Sequence, residues 1–180
     1  MGRIWSFIVV ACTVSVCGVA FSTAPVVAQN DGFIFSGDKV VSARDPKQFI
    51  AAGEKLSISQ LKQRFSSYIV TPEEGDCGGT CASIQGKSGA RIYISYGGDS
   101  NFSFSNISSD ARSSRDTLGN AIGTPLRKAI GANIAKCDSG ESTTCPSAQI
   151  KGLSYIAVGC TWKGEAIPAC AKVGGFEISR

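Results

Sequence analysis

Six cysteines, Cys77, Cys81, Cys137, Cys145, Cys160 and Cys170, constrain this 180-residue chain more tightly than any other feature of its sequence. What they do depends on the compartment, and the N-terminal segment speaks to that. Arg3 precedes an uncharged apolar stretch from Ile4 to Phe21, closed by Ser22, Thr23, Ala24 and Pro25, which is the order of a secretory leader. Val26 and Ala28 stand three before and one before a cut that would start the mature chain at Gln29. Two other readings stay open: a lipid-modified Cys12, and an uncleaved anchor, because the stretch approaches the roughly 20 residues that span a bilayer. Cleavage would remove Cys12 and Cys17 and leave an even six, which in an oxidising compartment predicts three disulfides. Six cysteines allow about fifteen connectivities. Proximity favours Cys77 with Cys81, Cys137 with Cys145, and Cys160 with Cys170. Each bridge then closes a short loop and contributes toward the low side of about 2–4 kcal/mol.

Without residues 1–28 the chain is one domain's worth, divided into an N-terminal arm, residues 29–55, and a single domain, residues 56–180. Its 17 Lys and Arg against 14 Asp and Glu give a net charge of +3, with the cations scattered singly apart from Arg127 and Lys128. That balance argues against a nucleic-acid groove.

Within the arm, Gly32 to Phe35 and Lys39 to Ser42 read as weak strands. Ser57 and Gln60 form a capping box and Leu56 and Leu61 a hydrophobic staple, so a helix is expected from Ile58 to about Ser66, its apolar face made by Ile58, Leu61 and Phe65. Tyr68 to Val70 restarts as a strand, and Thr71 to Cys81 reads as an exposed acidic turn. Arg91 to Tyr96 and Phe102 to Ile107 flank Gly97 to Asn101 as a hairpin. Ser108 to Gly123 is polar and irregular. A second helix is expected with Thr124 as N-cap, Pro125 at its first position and Gly131 as its stop. Cys137 to Cys145 suits a hairpin tip, and Leu153 to Trp162 and Val173 to Ile178 supply two more strands. The sum is an α+β domain, a mostly antiparallel sheet of about six strands with two short helices.

The chain has no histidine, which excludes Ser-His and Cys-His nucleophilic arrangements and histidine zinc sites. Only Cys77 and Cys81 have ligand-pair spacing, so no metal site is expected. The same pair has three intervening residues and no following helix, which suits a structural bridge better than a redox couple. Glu73, Glu74 and Asp76 lie too close together on one turn to act as a glycosidase pair. Asp99 with Asn101 lacks the bidentate Glu of a calcium loop, and no phosphate-cradling glycine motif is present. No catalytic residue and no cofactor are expected.

The surface candidates are Ser88, Arg91 and Tyr93 at the start of one strand, and Trp162 with Lys163 just after Cys160. Trp, Tyr and Arg dominate protein interfaces, although Tyr93 and Trp162 also suit plain packing.

Asp116, Gly119, the run Ile122 to Leu126, Gly131, Cys137, Cys145, and Ser154 with Tyr155 stand in an order that resembles a family of stress-regulated bacterial envelope lipoproteins built on a domain of unknown function. The resemblance spans about residues 107–162. It implies a periplasmic α+β module, a disulfide between Cys137 and Cys145, and no known enzymatic site. This chain departs from the family in lacking a convincing lipid-attachment cysteine and in carrying four more mature cysteines. A fainter resemblance is to periplasmic lysozyme inhibitors: Ser88-Gly89-Ala90 with Tyr93 looks like their Ser-Gly-Ala loop, and Trp162 to Ala166 like their Trp, Lys-Gly, Glu-Ala segment. It implies that Ser88 and Lys163 enter a hydrolase cleft, although about seventy residues separate the two stretches here.

The expected role is a non-enzymatic binding or structural module of the cell envelope, periplasmic or secreted. Its partner would be an envelope protein, with no nucleic acid and no membrane unless the leader is retained. The alternative is an inhibitor of a lysozyme-type cell-wall hydrolase.

Overall fold

The computed structural model describes residues 31–73, 81–96, 104–131, 137–139, 142–160, 162 and 166–179. Strands β1 (Phe33–Ser36), β2 (Lys39–Ser42), β3 (Phe49–Ala51) and β8 (Arg115–Asp116) form a four-stranded sheet in the order β3-β2-β1-β8. Strands β4 (Ile69–Glu73), β5 (Cys81–Gln85), β6 (Arg91–Tyr96), β7 (Phe104–Ser109), β9 (Asp138–Ser139), β10 (Thr143–Pro146), β11 (Leu153–Val158) and β12 (Lys172–Ser179) form an antiparallel eight-stranded sheet in the order β4-β5-β6-β7-β12-β11-β10-β9. With helices α1 (Ile58–Arg64) and α2 (Leu126–Ile130) these make an α+β fold, in which, among the described strands, only the β1–β8 pair is parallel.

The inner faces of the two sheets pack on each other. Phe35 stacks on Phe176 with ring centroids 5.2 Å apart, and Tyr155 meets Phe176 edge-on at 6.0 Å. Phe33 and Phe65 both contact Tyr68. Alternation explains which side chains go in: Ile92 and Ile94 of β6 are buried, while Tyr93 between them is 39% exposed.

Helix α1 is capped as expected. The Gln60 amide N–H donates to Ser57 Oγ, the Ser57 amide N–H donates to Gln60 Oε1, and Leu56, Leu61 and Phe65 are buried. Helix α2 buries Leu126, Ala129 and Ile130 and stops at Gly131, whose φ of 81° a side chain would resist. Its N-cap is Pro125 and not Thr124; the Thr124 hydroxyl instead accepts from the Ala121 amide, which tightens the preceding turn.

Several expectations need correction. Among the described residues the two sheets hold twelve strands, about twice the number expected, because short pairings such as β3, β8 and β9 leave no periodicity of their own. The segment expected as an arm supplies β1 to β3, with Phe33, Phe35, Val40 and Ile50 fully buried in the common core. Thr71 to Glu73 extend β4 instead of starting the acidic turn, and Cys81 opens β5. Two of the three expected disulfides have both cysteines among the described residues, Cys137–Cys145 and Cys160–Cys170, with Cα atoms 4.2 and 5.9 Å apart. Cys81 is disulfide-bonded, while Cys77 lies outside the described residues, as do Glu74, Asp76, Asp99 and Asn101.

The free edge of β3 is closed by its own neighbours. Arg64 Nη1 donates to the Phe49 carbonyl at 3.1 Å, the Ala51 amide donates to Glu54 Oε2 at 3.1 Å, and the Glu54 amide donates to the Ala51 carbonyl. Arg64 and Glu54 are themselves an ion pair at 2.7 Å. Edge groups so occupied cannot template another strand.

Candidate functional site

Three of the five expected surface residues meet at one end of the larger sheet. The turn between β5 and β6 exposes Lys87, Ser88 and Gly89, with Gly89 at φ 86°. This turn is held from beneath: the Ser88 amide donates to Asp31 Oδ2 at 2.9 Å, and Asp31, only 5% exposed, has Arg44 Nη1 3.7 Å from its other oxygen. Gly86 permits the approach, since a Cβ there would collide with Asp31. Asp31 is a bracing neighbour of this turn that the sequence did not reveal, because a lone acid before β1 carries no pattern.

Arg91 opens β6 and lies on the outward face with Tyr93. Its Nη2 donates to Gln85 Oε1 at 2.6 Å, its Nη1 donates to the Tyr93 hydroxyl at 3.3 Å, and its guanidinium sits 5.6 Å from the Tyr93 ring centroid. The hydrogen bond to Tyr93 raises the guanidinium pKa above its already high ordinary value. Cross-strand pairing places Gln85 opposite Arg91, and Tyr93 between Ser83 and Ser108. Further along this face Asn106 Nδ2 donates to Glu177 Oε1 at 2.8 Å. The surface is polar and of mixed charge.

Trp162 is half-buried and packs against the core, the plain packing role. Its segment is tied down by Cys160–Cys170. The pairings β6–β7, β7–β12 and β12–β11 bring this segment and the Ser88 turn to the same end of the sheet, three strands or about 14 Å apart. Lys163 lies outside the described residues.

A second polar cluster is buried. Asp116, 1% exposed, accepts from the amides of Leu118 and Asn120 at Oδ1, and from Asn120 Nδ2 and the Tyr155 hydroxyl, at 2.7 and 2.6 Å, at Oδ2. Those four donors use all the lone-pair positions of a carboxylate, so none is left to take a proton from a substrate. Burial first, and then the bond to Asp116, push the Tyr155 phenol far above its ordinary pKa. This is a lock on the β8–α2 loop.

Among the described residues no group of three or more Cys, Asp or Glu is placed to hold a metal ion. A depression of about 310 Å³ is lined by Leu56, Gln60, Gln63 and Arg64 and contains no carboxylate. No described helix is long and apolar enough to cross a membrane.

No family model matches the chain, and no curated protein matches it either. Among solved structures the chain is similar to the uncharacterized protein YfeY from Escherichia coli, with 18% identity, a TM-score of 0.48, and coverage of 73% of this chain and 93% of that one.

Proposed function

We propose that the protein is an exported, non-enzymatic binding module of the cell envelope, periplasmic or secreted, which engages a protein partner through the Arg91–Tyr93 end of its larger sheet. The observation that carries this reading is the order of that surface before any partner arrives. Gln85 and Tyr93 brace Arg91, and buried Asp31 braces the adjoining turn, so little side-chain freedom remains to be lost on binding. Arg and Tyr are also the residues that most often dominate interface energetics. The Cys137–Cys145 and Cys160–Cys170 bridges support an oxidising, extracytoplasmic compartment.

A photoreactive residue at Ser108, which pairs with Tyr93 across the strands, tests the reading in living cells. A single crosslinked species that disappears in Arg91→Ala is expected; the absence of any adduct, or turnover of a polysaccharide by the pure protein, contradicts it.

The inhibitor reading is favoured by one observation, the common end of the sheet shared by the Ser88 turn and the Cys160–Cys170 segment. On that reading the protein slows a lysozyme at stoichiometric concentration, and Ser88→Glu or Lys163→Ala weakens it. No inhibition of any lysozyme type removes it.

A further inference from the structure

The outward face of the smaller sheet has a chemistry of its own. Its register aligns Phe49, Val41, Ile34 and Arg115 in one row across four strands, with Lys39 in the next row. No carboxylate stands among the outward residues of these strands. Phe49 is 37% exposed, and its ring is flanked by Lys39 Nζ at 5.8 Å and the Arg64 guanidinium at 5.3 Å from the centroid. Glu54 is spent on Arg64, and Asp38 at the β1–β2 turn accepts from Ser36 Oγ at 2.8 Å beside Lys39, so the face carries Lys39 and Arg115 against one carboxylate, a net positive charge. Just past β8, Leu118 is 54% exposed.

We propose that this face rests on an anionic lipid surface, with Lys39 and Arg115 against acidic headgroups and Phe49 at headgroup depth. Aromatic side chains flanked by cations favour that interface, and each Lys or Arg near an anionic bilayer adds severalfold to binding. An added peptide strand is a poorer occupant, because the free edge of β3 is already occupied by Arg64 and Glu54. The face lies on the opposite side of the molecule from Arg91 and Tyr93, since the two sheets pack through Phe35 and Phe176. A partner can therefore be bound while this side touches a membrane.

The test is co-sedimentation of the full chain with vesicles of phosphatidylcholine alone or with about a quarter phosphatidylglycerol. Binding to the anionic vesicles is expected to be at least about fivefold tighter and to weaken with salt. Lys39→Glu with Arg115→Glu should abolish the preference, and Phe49→Ser should weaken anionic binding severalfold, with unchanged circular dichroism confirming both folds. Lys172→Glu, an exposed cation of the larger sheet, should keep the preference within about twofold. Equal binding to both vesicle types, no binding, or loss of preference in Lys172→Glu as complete as in the double variant overturns the proposal. Contributions from the apolar N-terminal stretch are common to all variants.

Discussion

At the scale of single residues, buried polar groups set the energetics of this protein. Tyr155 donates to a carboxylate that is out of contact with water, and Tyr68 is hydrogen-bonded to Ser42 at 2.6 Å in the core. Removing one donor leaves an acceptor that water cannot reach, so Tyr155→Phe is expected to cost about 1.5–3 kcal/mol in urea unfolding. Asp116→Ala should cost more, because it strands four donors at once. Burial is the largest cause raising both phenol pKa values, so the folded state keeps these groups protonated when the unfolded chain begins to ionise near pH 10. Stability supplied by the protonated phenols is whole below about pH 10 and is lost as the pH rises toward the folded-state values. Unfolding titrations should therefore show stability falling above about pH 10, with a shallower fall in Tyr155→Phe.

At the scale of elements, local chemistry was readable where a residue pair satisfies a backbone need of its own neighbourhood. Ser57 and Gln60 cap α1, and Ser57→Ala should destabilise the fold by about 1 kcal/mol, measured by chemical denaturation. The β6–β7 hairpin, the Cys137–Cys145 hairpin and the glycine stop of α2 were legible for the same reason. Elements defined by a distant partner were not. Strand β8 is two residues long and exists because Ile34 and Phe35 pair with Arg115 and Asp116 some eighty residues away. Strand β5, Cys-Ala-Ser-Ile-Gln, hides its alternation because Ser83 is buried along with Ala82 and Ile84. In the candidate site, residue type gave Ser88, Arg91 and Tyr93, but the groups that hold them, Asp31 and Gln85, are recruited from other elements and carry no local signal.

At the scale of the whole molecule, two sheets share one interior, and Phe176 is its pivot, touching Phe35 from the smaller sheet and Tyr155 from its own. Phe176→Ala should cost about 3–5 kcal/mol and lower the cooperativity of unfolding, because it opens a cavity where the layers meet. The N-terminal segment became core instead of arm for a related reason: Phe33, Phe35, Val40 and Ile50 are fully buried in the same cluster as Tyr155, Phe176 and Ile178 of the larger sheet. The disulfides tie connections at the rim of this interior, which places the fold in an oxidising compartment. Mass spectrometry of the chain alkylated directly in its producing cells tests this claim most directly. Crosslinked Cys137–Cys145 and Cys160–Cys170 peptides in the extracytoplasmic fraction are the expected result; alkylated free thiols at all four positions in the cytoplasm would contradict it.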